Sequence, residues 1–157
     1  MEIRTAKLQD CENLSRLIRT LSRRFITGAF SARGEEFLLD TMTPAAIQKL
    51  MQDGYRYHVA VVEGSVVGVI AMRDNRHLYS LFVAESHQRQ GIARKLWQVA
   101  MEACLIDGNE GEFTVNSSEY AQEVYKRLGF VAQPGPRIKN GVVFYPMSLQ
   151  VDQEDRV

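Results

Sequence analysis

The sequence has few cysteines and no net charge. Its 157 residues include two cysteines, Cys11 and Cys104, and 19 basic residues balance 19 acidic ones. The two cysteines are far apart, and each lies on the apolar side of a predicted helix, which favours buried thiols over a disulfide. Zero net charge provides no overall field to attract nucleic acid or a membrane surface. We therefore expect a cytoplasmic protein without a nucleic-acid or membrane partner.

Long apolar runs are also missing. No segment approaches the roughly 20 apolar residues that span a bilayer, and the first residues lack the apolar core of a signal peptide. The length suits one domain, large enough to bury about two-thirds of the surface of its unfolded chain. We expect a single domain over residues 1–157, with a polar tail from about Asp152.

Several common catalytic and binding motifs do not occur. The sequence contains neither the G-x-x-x-x-G-K-[ST] phosphate loop nor the dinucleotide-binding G-x-G-x-x-G, and no serine lies in a G-x-S-x-G elbow. The three histidines have no metal-ligand spacing with one another or with cysteine, so we expect no metal. The short basic pairs are not interleaved with aromatic residues, which argues against nucleic-acid binding.

The sequence instead alternates strand and helix patterns. Seven strands are predicted at about 1–7, 55–62, 65–73, 77–83, 112–115, 130–131 and 142–149. Four helices are predicted to begin near Asp10, Pro44, Gly91 and Ser118. The second, third and fourth strands are joined by short turns and form an antiparallel meander. The predicted order is βααβββαβαββ, with an irregular stretch at 26–42.

The third predicted helix begins with an unusual charge pattern. It starts at Gly91 without a Ser, Thr, Asp or Asn cap, and its first acidic residue is Glu102. Arg89, Arg94 and Lys95 add positive charge where free N–H groups and the helix dipole already favour an anion. A bound anion would supply the missing negative charge. The alternative is an ordinary helix start with solvated basic side chains, and the loop alone does not decide between the two.

The residue types in this loop suit close contact with a phosphate group. The pattern is Gln88-x-x-Gly91-x-Ala93. Glycine lets the backbone turn and approach a ligand closely, and the small alanine keeps the helix start open. Successive N–H groups can then surround a pyrophosphate.

A second motif follows the fifth predicted strand. The pattern Ala121-x-x-Val124-Tyr125-x-x-x-Gly129-Phe130 predicts a helix that ends at a glycine before an aromatic strand start. Together with the strand Leu81-Phe82-Val83 and the loop, it resembles the GNAT superfamily of acyl-CoA-dependent N-acyltransferases. The motifs cover about 57–131, and the element order fits across the domain. The resemblance implies an α/β (α+β) fold, a central, mixed but mostly antiparallel sheet of about seven strands flanked by four helices.

The resemblance also implies a site for acetyl-CoA as acyl donor, without a metal. The backbone of the central strand would pair with the amides of pantetheine as an added strand, and the loop N–H groups would hold the pyrophosphate. Asn116 would face the same cleft and hold the pantetheine arm, or serve only as a turn or cap residue. The implied cofactor-binding residues are Leu81, Phe82, Val83, Gln88, Arg89, Gln90, Gly91, Ile92, Ala93, Arg94, Asn116 and Ser118.

Tyr125 occupies the position that the resemblance assigns to the general acid. Attack of an amine on a thioester expels a thiolate, and a phenol with a pKa of about 10 stays protonated at neutral pH and can donate a proton. The alternative role is core packing, because Tyr125 shares its helical stripe with Ala121 and Leu128.

Three residues depart from the usual motif. Glu85 replaces a common proline, Arg89 a common glycine, and Ser118 a common asparagine. These changes are tolerable because such a loop binds mainly through its backbone.

The group that would deprotonate the amine is unassigned, because the central strand at 77–83 has no carboxylate. The candidates are His77, directly or through water, and the acidic side chains Glu35, Glu36 and Asp40 in the irregular stretch. For each of them, an ordinary surface position is the more common explanation.

The predicted function is transfer of an acetyl group from acetyl-CoA to a primary amine of a small molecule or peptide. The partners are then acetyl-CoA and an amine acceptor, and the resemblance allows a homodimer. One alternative is a catalytically silent CoA or acyl-CoA sensor, which the missing carboxylate favours and Tyr125 disfavours. A weaker alternative is a regulatory protein that binds another phosphate at the loop. No pattern identifies the acceptor.

Overall fold

The computed structural model describes residues 1–152, which form eight strands and five α-helices. The strands are β1 (Glu2–Thr5), β2 (Arg56–Val62), β3 (Ser65–Arg73), β4 (His77–Val83), β5 (Glu112–Ser117), β6 (Val131–Ala132), β7 (Arg137–Lys139) and β8 (Val142–Gln150). The helices are α1 (Cys11–Phe25), α2 (Ala32–Asp40), α3 (Pro44–Gln52), α4 (Ile92–Ile106) and α5 (Gln122–Arg127). The predicted α/β order is confirmed, with one helix and one strand added. The predicted polar tail lies outside the described residues from 153 onwards.

The added elements are α2 and β7. Helix α2 forms in the stretch predicted to be irregular, because Ser31 caps it by accepting a hydrogen bond from the Gly34 N–H at 3.0 Å. Gly34 packs so closely on the turn before β8 that a Cβ there would overlap the Gly141 carbonyl. Strand β7 pairs with β8 as a hairpin, and its three residues are exposed. Neither element has the long, regularly spaced series of apolar residues by which a helix or a strand is predicted from a sequence.

The sheet is mixed, as predicted. Its order is β1-β2-β3-β4-β5-β8-β6, with β7 paired to β8, and among the strands of residues 1–152 only β4 and β5 run parallel. The meander β2–β4 is confirmed, with left-handed residues at both turns, Glu63-Gly64 and Asp74-Asn75. Strands β4 and β5 pair only through His77 with Thr114 and Leu78 with Val115. Beyond Leu78 the two strands separate, which leaves an opening in the middle of the sheet.

Helices cover both faces of the sheet. Helices α1 and α3 pack on one face with buried residues that include Leu14, Ile18 and Ile47. Helix α4 packs on the other face, where Trp97 meets Phe113 edge-on at 5.1 Å and Phe130 at 5.3 Å between ring centroids. Cys11 and Cys104 are buried free thiols, one in each core, as predicted.

Asp10 precedes α1 as predicted, but its carboxylate accepts from Arg4 at 2.8 Å and from the Lys7 N–H at 2.7 Å rather than capping the helix.

In the stretch 1–152, every helix is too short or too polar to cross a bilayer.

Candidate active site

A cleft of about 400 Å³ lies where β4 and β5 separate. Residues Leu81–Val83 pair with β3 along one side, and no strand among residues 1–152 pairs with their other side. Their free backbone edge therefore borders the cleft, which also touches α1, the loop before α4, and α5. The lining residues that the sequence predicted are Leu81, Phe82, Val83, Gln88, Arg89, Gly91, Ile92, Ala93, Arg94, Ser118 and Tyr125. We call this space the donor cleft.

The loop before α4 carries two left-handed residues on either side of Gln90. Arg89 has φ 63° and Gly91 has φ 78°, and Gly91 precedes the helix without any side-chain cap. The uncapped start that the sequence predicted is therefore confirmed. Because the first N–H groups of a helix have no intrahelical acceptor, those of Ile92, Ala93 and Arg94 are available to an anion.

Two side-chain hydrogen bonds fix the walls of the donor cleft. Gln88 donates from Nε2 to the Val83 carbonyl at 3.0 Å and so holds the loop against the end of β4. Arg94 donates to the Arg127 carbonyl at 3.0 Å and joins the first turn of α4 to the last turn of α5. A cation at the carboxyl end of α5 also suits the dipole of that helix.

Tyr125 belongs to the core and to the donor cleft at once. Its side chain is only 6% exposed and packs edge-to-face on Phe130 at 5.8 Å. Burial raises the pKa of the Tyr125 phenol well above its ordinary value, because the charged phenolate would lose its hydration. The hydroxyl is therefore protonated at neutral pH.

Two of the predicted donor residues lie outside the lining. Asn116 is exposed while its strand neighbours Val115 and Ser117 are buried, and it is not among the residues that line the donor cleft. Its role in holding the pantetheine arm stays a prediction. Gln90 is also exposed and absent from the lining, between the two left-handed residues.

The candidate bases from the sequence do not reach the donor cleft. His77 lies at the opposite end of β4, where its Nδ1 is 2.7 Å from the Thr114 hydroxyl, and burial lowers its pKa to about 4. Glu35, Glu36 and Asp40 lie on α2 and line neither this cleft nor the cavity beside it.

An imidazole and a carboxylate that line the donor cleft were not singled out from the sequence. His87 has its Nδ1 2.7 Å from the Ser86 hydroxyl, and Glu123 pairs with Lys126 at 3.3 Å. Both stand in surface-like polar stretches, so the local pattern gave no signal for them.

A second cavity of about 290 Å³ adjoins the donor cleft. The two spaces share four lining residues, Phe25, Ile26, Ser118 and Tyr120. The rings of Phe25 and Tyr120 stack at 4.5 Å between centroids with 13° between their planes, and they form the boundary. Sequence patterns did not indicate this pair, because it joins the end of α1 to the segment before α5, two distant parts of the chain.

The acetyltransferase (GNAT) domain family matches residues 20–151. The chain belongs to this family, as the sequence motifs predicted, and is an enzyme of the N-acetyltransferase class. Among curated protein sequences, none matches this chain.

Solved structures share the fold at low sequence identity. A GCN5-related N-acetyltransferase from Rhodopseudomonas palustris is 17% identical and covers 96% of this chain and 95% of its own, with a TM-score of 0.80. The PaiA N-acetyltransferase from Thermoplasma acidophilum, solved with coenzyme A, is 15% identical over 96% and 98%, with a TM-score of 0.77. YncA from Salmonella typhimurium, solved with acetyl-CoA, is 22% identical over 98% and 95%, with a TM-score of 0.66.

Proposed function

We propose that the protein transfers an acetyl group from acetyl-CoA to a primary amine by direct attack. The observation that carries this proposal is the separation of β4 and β5. It brings a free strand edge, an uncapped helix start and a buried tyrosine to one cleft. The cytoplasmic location and a homodimer stay predictions.

The donor cleft fits the chemistry of CoA. The free edge of Leu81–Val83 offers backbone groups to the two amides of pantetheine. The N–H groups of Ile92, Ala93 and Arg94 suit the pyrophosphate, and the backbone of the preceding loop extends that surface. Arg89 and Ser118 also line this space and complete the proposed donor contacts. Asn116 is left out because it is not among the lining residues.

The proposed reaction needs one new bond and one proton donor at the leaving group. The neutral amine nitrogen bonds to the thioester carbon, the carbon–sulfur bond breaks, and the nitrogen releases one proton to solvent. A backbone N–H of β4 stabilises the carbonyl oxygen while charge develops on it. Tyr125 gives its proton to the departing thiolate and regains one from solvent. Desolvation raises the pKa of the phenol, so the proton stays on Tyr125 until the thiolate departs.

The general-acid role is tested with Tyr125→Phe. We expect kcat to fall by about 10²- to 10⁴-fold, the usual contribution of a positioned acid, while the KM for acetyl-CoA changes little. Tyr57→Phe is the matched control, because Tyr57 is 3% exposed, belongs to the core beneath α1, and lines neither cavity. An unchanged kcat in Tyr125→Phe, under conditions where chemistry limits the rate, would contradict the acid role.

A CoA sensor is the second candidate function. It is favoured by one observation: His77 and the α2 carboxylates, the bases suggested by the sequence, lie away from the donor cleft. Acetyl-CoA at a hundred times its Kd stabilises any binder by about 2.7 kcal/mol. Such stabilisation without thiol release across a broad amine panel would establish the sensor in place of the enzyme.

A further inference from the structure

The second cavity has aromatic and apolar walls. Phe25 and Tyr120 also line the donor cleft, and Phe30 and Val143 line only this cavity. A volume of about 290 Å³ is near the lower end for small-molecule sites. The cavity therefore suits a small apolar or aromatic group, for which stacked or edge-on ring contacts are available.

The charges at this cavity favour a single cation. Arg24 lines it, but its guanidinium pairs with Glu85 at 3.2 Å and lies 5.4 Å from the Phe25 ring centroid. Glu119 also lines it and takes part in no ion pair within residues 1–152. The uncompensated charge on the lining is therefore one carboxylate.

The carboxylate and the apolar side chains line the same cavity. Glu119 lies between Ser118 and Tyr120 in the chain, and both of these neighbours also line the donor cleft. Phe30 and Val143 line only the second cavity. A ligand that fits this lining has an ammonium group at Glu119, beside the segment shared with the donor cleft, and an apolar body against Phe30 and Val143.

We propose that the second cavity binds the acceptor, and that this acceptor is a primary amine joined by a short alkyl chain to an aromatic ring. The inference rests on the proposed acetyl transfer and names its substrate class. Glu119 holds the ammonium group near the boundary, and Phe30 with the Phe25–Tyr120 pair contacts the ring. A polyamine would leave ammonium groups without a partner, and an aminosugar would lose the hydration of its hydroxyls against apolar walls.

The test measures acetyl transfer to phenethylamine, spermidine and kanamycin by thiol release. We expect kcat/KM for phenethylamine to exceed the other two by about tenfold or more, the discrimination that one mismatched group gives in such a site. Glu119→Gln and Phe30→Ala should each raise the KM for phenethylamine by about tenfold while kcat and the KM for acetyl-CoA stay within about twofold.

Matched controls come from α2, which lines neither cavity. Glu36→Gln and Phe37→Ala remove the same groups from exposed positions and should leave every constant unchanged. Stabilisation by CoA, equal to that of the original protein, shows that each variant is folded.

The outcomes separate the two proposals. Preference for spermidine or kanamycin, or an unchanged KM in Glu119→Gln and Phe30→Ala, would overturn the substrate class while acetyl transfer itself stands. Absence of transfer to every amine, despite stabilisation by acetyl-CoA, would overturn the proposed function and the substrate class with it.

Discussion

Arg89 adopts a backbone conformation that only glycine enters freely. Its φ of 63° places it in the left-handed region, where a Cβ costs about 1 kcal/mol or more. Strained residues of this kind persist at sites where the surrounding structure over-determines them, and Arg89 lines the donor cleft. The glycine that is common at this position of the motif has a physical reason here, since the loop itself requires the left-handed turn.

This strain can be measured with two substitutions that remove the same charge. Arg89→Gly should be more stable than Arg89→Ala by about 1 kcal/mol, because alanine keeps the left-handed penalty and glycine does not. Urea unfolding gives the difference. At Gln90, which is exposed and has no positive φ, the order should reverse and the alanine variant should be the more stable. Equal stability of the two Arg89 variants would show that the loop carries no such strain.

Single residues also mark where the sequence could and could not predict the site. The loop and Tyr125 were predictable, because their neighbours form short patterns with a stated physical role. The position of Asn116 outside the cleft lining was not predictable, because one step along a strand decides which face a side chain occupies. Phe25 and Tyr120 meet only through the folded chain, so no local pattern pairs them.

At the scale of elements, α2 is in close contact with the turn of the β7–β8 hairpin. The Gly34 backbone lies against Gly141 at this turn, with no room for a side chain at either position. Phe30, just before α2, and Val143, two residues after Gly141, both line the second cavity. We therefore expect the contact between the two glycines to influence the width of that cavity.

Gly34→Ala tests this contact. In an ordinary helix the change would stabilise by about 1 kcal/mol, but here the new Cβ overlaps the hairpin backbone, and we expect a loss of about 1–3 kcal/mol. The KM for the amine should rise while the KM for acetyl-CoA stays the same, because no residue of α2 or of the β7–β8 hairpin lines the donor cleft. Arg33→Ala, at the exposed neighbouring position of α2, is the control and should not destabilise.

The elements themselves were predicted unevenly. The meander β2–β4 was predictable because alternating apolar residues flank turn residues that tolerate positive φ. Helix α2 was missed because it has nine residues, a glycine inside, and little apolar periodicity. Strands β4 and β5 separate because they pair at only two positions. The sequence of neither strand alone specifies that pairing.

At the scale of the whole molecule, two histidines titrate unfavourably when acid is added. His58 is 8% exposed and its Nδ1 has no hydrogen-bond partner among residues 1–152, and burial lowers its pKa. Burial also lowers the pKa of His77 to about 4. Between about pH 4 and the ordinary histidine pKa near 6.5, the unfolded chain binds more protons than the folded one.

Stability should therefore be level near pH 7 to 8 and fall as the pH drops below about 6.5. Each histidine contributes at most about 1.4 kcal/mol per pH unit, and His77 less, because part of its ring is solvated. Urea unfolding at pH 7.5 and 5.5 measures the loss, which His58→Leu should reduce and the double variant with His77→Asn should nearly abolish. A loss of the same size in the double variant would assign the acid sensitivity to other groups.

Trp97 is the one tryptophan in the sequence, and it lies 3% exposed between Phe113 and Phe130. These three rings join α4, β5 and the segment after α5. The tryptophan fluorescence of the protein is therefore an optical signal from this one cluster of three rings. The emission should stay blue-shifted while the cluster is packed and move to longer wavelength when water reaches the indole. It therefore follows the opening of this part of the molecule without any added label.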